Sequence, residues 1–281
     1  MRYVRRGRFS NPFLLFGIIL VSFSSSSSQT YLIPKISSPP IMDGNLSDWN
    51  TSFSLSFVVH NTGLAATQST FVSLAWDPQF LYLAYHCVDS KIVGSAKTQD
   101  APIFNTDDLV EFFIDPDGDS KNYVEIGVNA FSTDYDILIQ CATDACGGWK
   151  DDITWDATNM QTVAAKTPSG YDVEIKIPFT SLNSIPNGGF TTPQVGTVWK
   201  GNAFRIDYGS TTEYLAISAY PGDTFGFHQP TLFKSFRFTD YATAIHPLKS
   251  SKKNPTHIPR FEILNSKGRI QLVTVSGKIL K

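Results

Sequence analysis

Cysteine is scarce in this chain, with three in 281 residues, and no two of them form a Cys-x-x-Cys pair. Zinc ribbons and thioredoxin-type motifs are therefore excluded, and without Cys-x-x-Cys-His so is covalent haem attachment. A sustained 3.6-residue apolar period is missing too, and beyond a turn near 179–182 no helix is predicted. After residue 21 there is no long apolar run, so nothing downstream reads as a membrane span. Positive charge is also sparse through the middle of the chain. From Pro39 to Asp240 there are 24 acidic and 10 basic residues, a net of −14; residues 241–281 hold 8 basic residues and one acid, Glu262, a net of +7. An acidic body excludes nucleic acid as a partner, since phosphate binding needs clustered Lys and Arg. It leaves neutral ligands and divalent cations.

Arg2, Arg5, Arg6 and Arg8 precede an apolar run from Phe13 to Val21 and a serine tract ending at Ser28. These are the parts of a secretory signal, which predicts residues 1–28 as a signal peptide and a soluble, secreted or cell-surface protein. Residues 29–40 read as a Pro/Ser linker and 41–240 as one folded domain. Pro247, Pro255 and Pro259 interrupt the basic tail, 241–281, whose last twenty residues read as a strand pair or as a sorting or attachment signal. Alternating runs at 53–60, 71–76, 80–88, 108–115, 123–130, 135–140, 161–166, 171–177, 198–207, 213–219 and 232–238 predict about eleven strands. Strands without helices mean an all-β protein, an antiparallel β-sandwich of immunoglobulin or jelly-roll type.

The segments 107–115 and 122–129 alternate on either side of an acidic turn and predict a β-hairpin. Val110, Phe112, Ile114, Val124, Ile126 and Val128 form its core face. The other face carries Leu109, Glu111 and Phe113 beside Tyr123, Glu125 and Asn129. Carboxylates, an amide and rings on rigid strands suit a polyhydroxylated ligand. A turn centred near Gly118 would set Glu111 directly opposite Glu125, with Cβ atoms about 4.5–5.5 Å apart.

Five motifs in order extend this reading: Ile41-Met-Asp-Gly-Asn-Leu-Ser-Asp-Trp49; Asp108-x-x-Glu111 running to Pro116; Tyr171-Asp-Val-Glu-Ile-Lys-Ile-Pro-Phe179; Trp199 to Arg205; and His228-Gln-Pro-x-Leu-Phe233. The set, spanning about 41–238, resembles the family 9 carbohydrate-binding modules. These are secreted β-sandwiches usually attached to xylan- or cellulose-degrading enzymes. The resemblance implies a non-catalytic domain that holds a neutral plant-type polysaccharide, or its chain end, between two aromatic rings. It implies polar groups gripping the hydroxyls, and structural calcium. Glu111 falls where the family places a sugar-contacting carboxylate, and Phe104 stands near an expected stacking tryptophan. Trp149, Phe225 and Phe227 are the options for the second ring. Asp108, Glu125, Asn129, Arg205 and His228 complete the candidate site.

Each candidate has a plainer reading as well. Trp76, Trp155 and Trp199 lie in or beside strand-like runs and read as core, whereas Trp149 follows Gly147-Gly148 in a polar loop and reads equally as a stacking platform. Arg205 suits a salt bridge as well as a sugar contact, and His60 and His86 read as strand histidines. Asp115, Asp117 and Asp119 form either an acidic turn or part of a calcium site; an EF-hand is excluded because position twelve is Ile126. In an oxidising compartment Cys141 and Cys146 are a plausible disulfide, with Cys87 a buried thiol. Stacking a sugar face of roughly 100–150 Å² contributes about 3 kcal/mol, and each charged hydrogen bond about 1.5–3 kcal/mol. Against at least about 4 kcal/mol of lost freedom, this leaves a micromolar-to-millimolar binder. Trp149→Ala or Glu111→Ala should then weaken binding while thermal unfolding hardly changes. Two other chemistries draw on residues of this chain. Glu111 and Glu125 could act as a retaining glycosidase pair, and Met42, Met160 and the histidines could ligate haem iron.

Overall fold

The structure, a computed structural model, describes residues 30–241 except 52, 144, 145, 147, 186–189, 210 and 223–225. It also gives the backbone of a two-stranded hairpin at Arg260–Leu264 and Ile270–Thr274. The leader, most of the tail and Phe225 lie outside the described residues.

Fourteen strands form one continuous sheet that folds over on itself. They are β1 (Thr30–Lys35), β2 (Leu55–Ser56), β3 (Val58–Val59), β4 (Thr70–Trp76), β5 (Phe80–Val88), β6 (Leu109–Asp115) and β7 (Asn122–Asn129). β8 (Asp134–Cys141), β9 (Trp149–Asp152), β10 (Gln161–Thr167), β11 (Gly170–Pro178), β12 (Val198–Asp207), β13 (Glu213–Ala216) and β14 (Lys234–Tyr241) follow. The main path is β10-β11-β5-β4-β1-β14-β12-β6-β7-β8-β9. All eleven expected runs appear as strands or contain them, and the turn near 179–182 is a 3-10 segment, Phe179–Ser184.

Two strands were not expected. β1 lies in the stretch read as linker; Tyr31 and Ile33 are buried, and the strand pairs in parallel with β14. β9 carries mostly exposed polar residues and pairs with β8.

Alternation explains the layers. Val110, Phe112 and Ile114 of β6 and Val124, Ile126 and Val128 of β7 meet Leu83, Tyr85, Val173 and Ile175 of the facing layer in the main core. Trp76, Trp155 and Trp199 are buried there as expected, as is Cys87. The opening motif is explained by Glu174 of β11. Its Oε2 accepts from the Asp43 and Gly44 amides at 3.1 and 2.6 Å, and its Oε1 from Trp49 Nε1 at 2.7 Å. Gly44 has φ +80°, and a Cβ there would come within 2.5 Å of Ala165; two of the motifs are thus halves of one structural joint.

Candidate functional site

The outer face of β6, β7, β8 and β12 carries a second apolar cluster that includes Leu109, Phe113, Tyr123, Tyr135, Phe204 and Phe227. Tyr220, Phe227 and Phe233, which follow β13 in the chain, pack into it. Glu111 and Glu125 lie on this face, as alternation requires, but both are buried, at 2% and 5% exposure. Glu111 pairs with Gly127, and Phe113 with Glu125. The two acids are therefore diagonal neighbours, and the expectation that they stand directly opposed is corrected. The register centres the turn at Asp119. Asp115 accepts from the Gly118 and Ser120 amides, Asp119 accepts from the Lys121 amide, and Ser120 adopts φ 64°.

The residue joining the acids is Tyr135. Its hydroxyl lies 2.6 Å from Glu111 Oε1 and 2.6 Å from Glu125 Oε1. One O–H hydrogen serves only one carboxylate, so the other acid must donate a proton of its own. The electrostatics agree: burial pushes the Glu111 carboxyl up to about 7. Burial, with Glu111 beside it, pushes Glu125 well above the ordinary range. Sequence reasoning missed Tyr135. The available signal was Gly127, a glycine inside a strand, where a Cβ would lie 2.2 Å from the Tyr135 ring.

Above the acids sits His228. Its Nδ1 is 2.7 Å from the Tyr123 hydroxyl and its Nε2 is 3.7 Å from Glu125 Oε2. Burial lowers its pKa to about 4, so the ring is neutral at physiological pH. Trp149 lies outermost, 42% exposed, stacked on His228 with centroids 4.8 Å apart at 18°. Cys141, directly across from Trp149, is disulfide-bonded to Cys146, which staples the hairpin bearing that ring. Phe104 meets Tyr135 edge-on at 5.4 Å, while Phe227 is buried and stacked on Phe204 at 4.0 Å.

The structure thus brings Glu111, Glu125, Phe104, Trp149, Phe227 and His228 into one cluster. Three other candidates are engaged elsewhere. Arg205 points between the layers, where its Nη2 meets Asp89 at 2.9 Å and Asp207 at 3.0 Å; of its two readings, the salt bridge is the one realised. Asp108 accepts from the Val93 amide and, at 2.5 Å, from the Tyr208 amide. Asn129 donates to Asp107 and Ser95 and accepts from the Phe131 and Thr133 amides. His86 bonds Asp172 at 2.7 Å, as a strand histidine should. Hydrolysis needs carboxyl groups flanking a bond in a cleft; here both share one sheet face, covered and joined through one hydroxyl.

Asp115, Asp117 and Asp119 bring carboxylate oxygens within 4.8 Å of one another, and so do the buried Asp89, Asp108 and Asp207. The first set suits a metal ion in its hard oxygen donors. Burial, with Asp117 alongside, lifts Asp115 to about 7, a repulsion that a cation would relieve.

Six buried acids therefore have raised pKa values: Glu111, Glu125 and Glu174 with Asp115, Asp136 (about 7) and Asp108 (about 6), all chiefly through burial. Each contributes stability that is complete below the unfolded value, near 4, and is lost as pH rises through its raised value, about 6–7 for Asp108, Glu111, Asp115 and Asp136. His228 acts oppositely, contributing above about 6.5 and losing this as pH falls toward 4. The acids outnumber it. In calcium-free buffer the melting temperature is expected to be higher at pH 5 than at pH 8; a higher value at pH 8 would contradict this assignment.

The family model described as "Carbohydrate family 9 binding domain-like" matches residues 42–237. Three solved structures share the fold. A candidate carbohydrate-binding protein from Bacteroides uniformis ATCC 8492 has a TM-score of 0.60 at 16% identity, covering 75% of this chain and 100% of its own. A family 9 module from Caldicellulosiruptor kristjanssonii in complex with cellotriose has a TM-score of 0.53 at 17% identity, covering 76% and 96%. One from the same organism in complex with glucose has 0.51 at 18%, covering 78% and 100%. No curated protein matches by sequence. The motif order, the two-layer sheet and the family match coincide over the same residues, and the chain belongs to the carbohydrate family 9 binding domain-like family.

Proposed function

We propose that this protein binds neutral carbohydrate of the cellulose or xylan class without turning it over. The carrying observation is the layered cluster itself: an exposed Trp149 ring above His228, Tyr123, Glu125 and the Tyr135-bridged Glu111. Trp149 offers an apolar platform for a sugar face, and Tyr123 and Glu125, the polar groups at the edge of His228, offer hydrogen-bond partners for hydroxyls. The Caldicellulosiruptor modules are in complex with cellotriose and with glucose, which supports a glucan chain or its end as ligand. Calcium at Asp115, Asp117 and Asp119 is part of the reading and would act by fixing the turn between β6 and β7. Export through residues 1–28 is another part; a full-length mass for the exported protein would contradict it.

The test is a glycan array followed by calorimetry with cello- and xylo-oligosaccharides, with calcium and with a chelator. Trp149→Ala is expected to lower affinity about 10- to 100-fold, corresponding to about 1.4–2.8 kcal/mol of lost stacking. Because the ring is 42% exposed, thermal unfolding should hardly move. Unchanged affinity would overturn the site. Glu111→Ala does not serve as the matching probe. The expectation that it spares stability is corrected, since the side chain is buried and bonded to Tyr135.

A further inference from the structure

His228 is held as a bound ring would be. From outside inward the order is Trp149, 42% exposed, then the half-buried imidazole, then Phe113 at 1%. The imidazole lies 4.8 Å from Trp149 at 18° and 5.3 Å from Phe113 at 39°. Its polar rim is met by the Tyr123 hydroxyl at 2.7 Å and by Glu125 Oε2 at 3.7 Å. A flat ring between aromatic faces, with a hydroxyl and a carboxyl at its edge, has the surroundings that a pyranose requires.

We infer that His228 is an internal occupant of the sugar slot, and that a pyranose enters by displacing it. The incoming ring stacks between Trp149 and Phe113, and its hydroxyls replace the imidazole nitrogens at Tyr123 and Glu125. This rests on the sugar-binding reading and adds to it a competitor carried by the chain. Phe227, the preceding residue, stays stacked on Phe204 at 4.0 Å, so the exchange asks only for the His228 side chain to swing outward. Tyr123 is itself fixed against Phe113 at 5.8 Å and Phe233 at 5.2 Å, so the slot survives once the imidazole leaves.

A self-occupied slot and a sugar contact make opposite predictions. Removing a competitor strengthens binding, whereas removing a contact weakens it. In the full chain, His228→Ala is expected to raise affinity for cello- or xylo-oligosaccharides about tenfold. His228→Leu, which leaves the slot filled, should not raise it. Equal or weaker binding by His228→Ala would overturn the proposal. Should that variant fail to fold, the wild-type imidazole can be titrated by NMR with and without saturating oligosaccharide. Its pKa, about 4 within the cluster, should rise toward the ordinary value near 6.5 once expulsion ends the burial that lowers it. A pKa unmoved by saturating sugar would overturn the proposal equally. Absence of binding by both wild type and His228→Ala is a different failure, since it removes the sugar-binding reading and this inference with it.

Discussion

Replacing Arg205 by methionine is expected to lower the melting temperature by roughly 10–15 °C. The guanidinium is fully buried between the layers. It donates to Asp89 and Asp207, to Thr70 Oγ1 at 2.8 Å and to the Val88 carbonyl at 3.0 Å. Asp108 is close by, so three buried acids cluster with this one cation. Methionine preserves the bulk and removes the charge, leaving Asp89 and Asp207 facing each other across a dry gap. Breaking a buried pair in this way costs about 3–5 kcal/mol. A domain of this size loses about 2–4 °C per kcal/mol. Adding Asp89→Asn should recover part of the loss, because the two changes share one network. A shift under about 3 °C would show that Arg205 contributes little.

The second large effect concerns Gly127→Ala, expected to cost about 3–5 kcal/mol. The new methyl would lie 2.2 Å from Tyr135 Cε1, 2.5 Å from Cζ and 2.8 Å from the hydroxyl oxygen. Gly127 is fixed mid-strand, paired with Glu111 on one side and Tyr135 on the other, so the backbone cannot yield cheaply. Phe104 limits the ring's retreat. Overpacking contributes about 1–3 kcal/mol. Moving the hydroxyl leaves buried carboxyl groups short of a partner, at about 1–3 kcal/mol more. Urea unfolding measures the sum, and a wild-type midpoint would show that the tyrosine is free to move. Such a result would also weaken the account of Glu111 and Glu125 as a proton-sharing pair.

These effects show where the sequence was legible. Alternation located eleven runs and both faces of the β6–β7 hairpin, because a two-residue period reports directly on which side chains share a side. It does not report what covers a face. Glu111 reads as presented to ligand, yet it is buried with its Oε1 held by Tyr135 of β8, two strands away, while Tyr220, Phe227 and Phe233, about a hundred positions downstream, join the cluster on the same face. β1 escaped because Pro34, Pro39 and the nearby serines resemble a linker, while its partner β14 lies some two hundred residues away. β9 escaped because Trp149, Lys150 and Asp151 are all exposed, and an edge strand without a buried side has no period to read. The acidic joint at Glu174 was legible only as two separate motifs. Trp149 reads as an aromatic in a polar loop, whereas it opens β9 with its ring exposed, and its stacking on His228 depends on a contact that no local pattern encodes.

The parallel pairing of β1 with β14 also fixes where the chain enters and leaves the sandwich. Thr30 aligns with Ser235, which in turn lies beside Lys200 and Asp115, on the side of the molecule where Asn122 and Gln140 lead to Trp149. Tyr241 ends β14 beside Lys35, the length of an eight-residue strand away, about 25 Å. Entry therefore falls at the pole of the indole platform and exit at the opposite pole. A molecule held at Tyr241 would stand with that platform at the far pole from the surface holding it, free to meet a polymer arriving from outside.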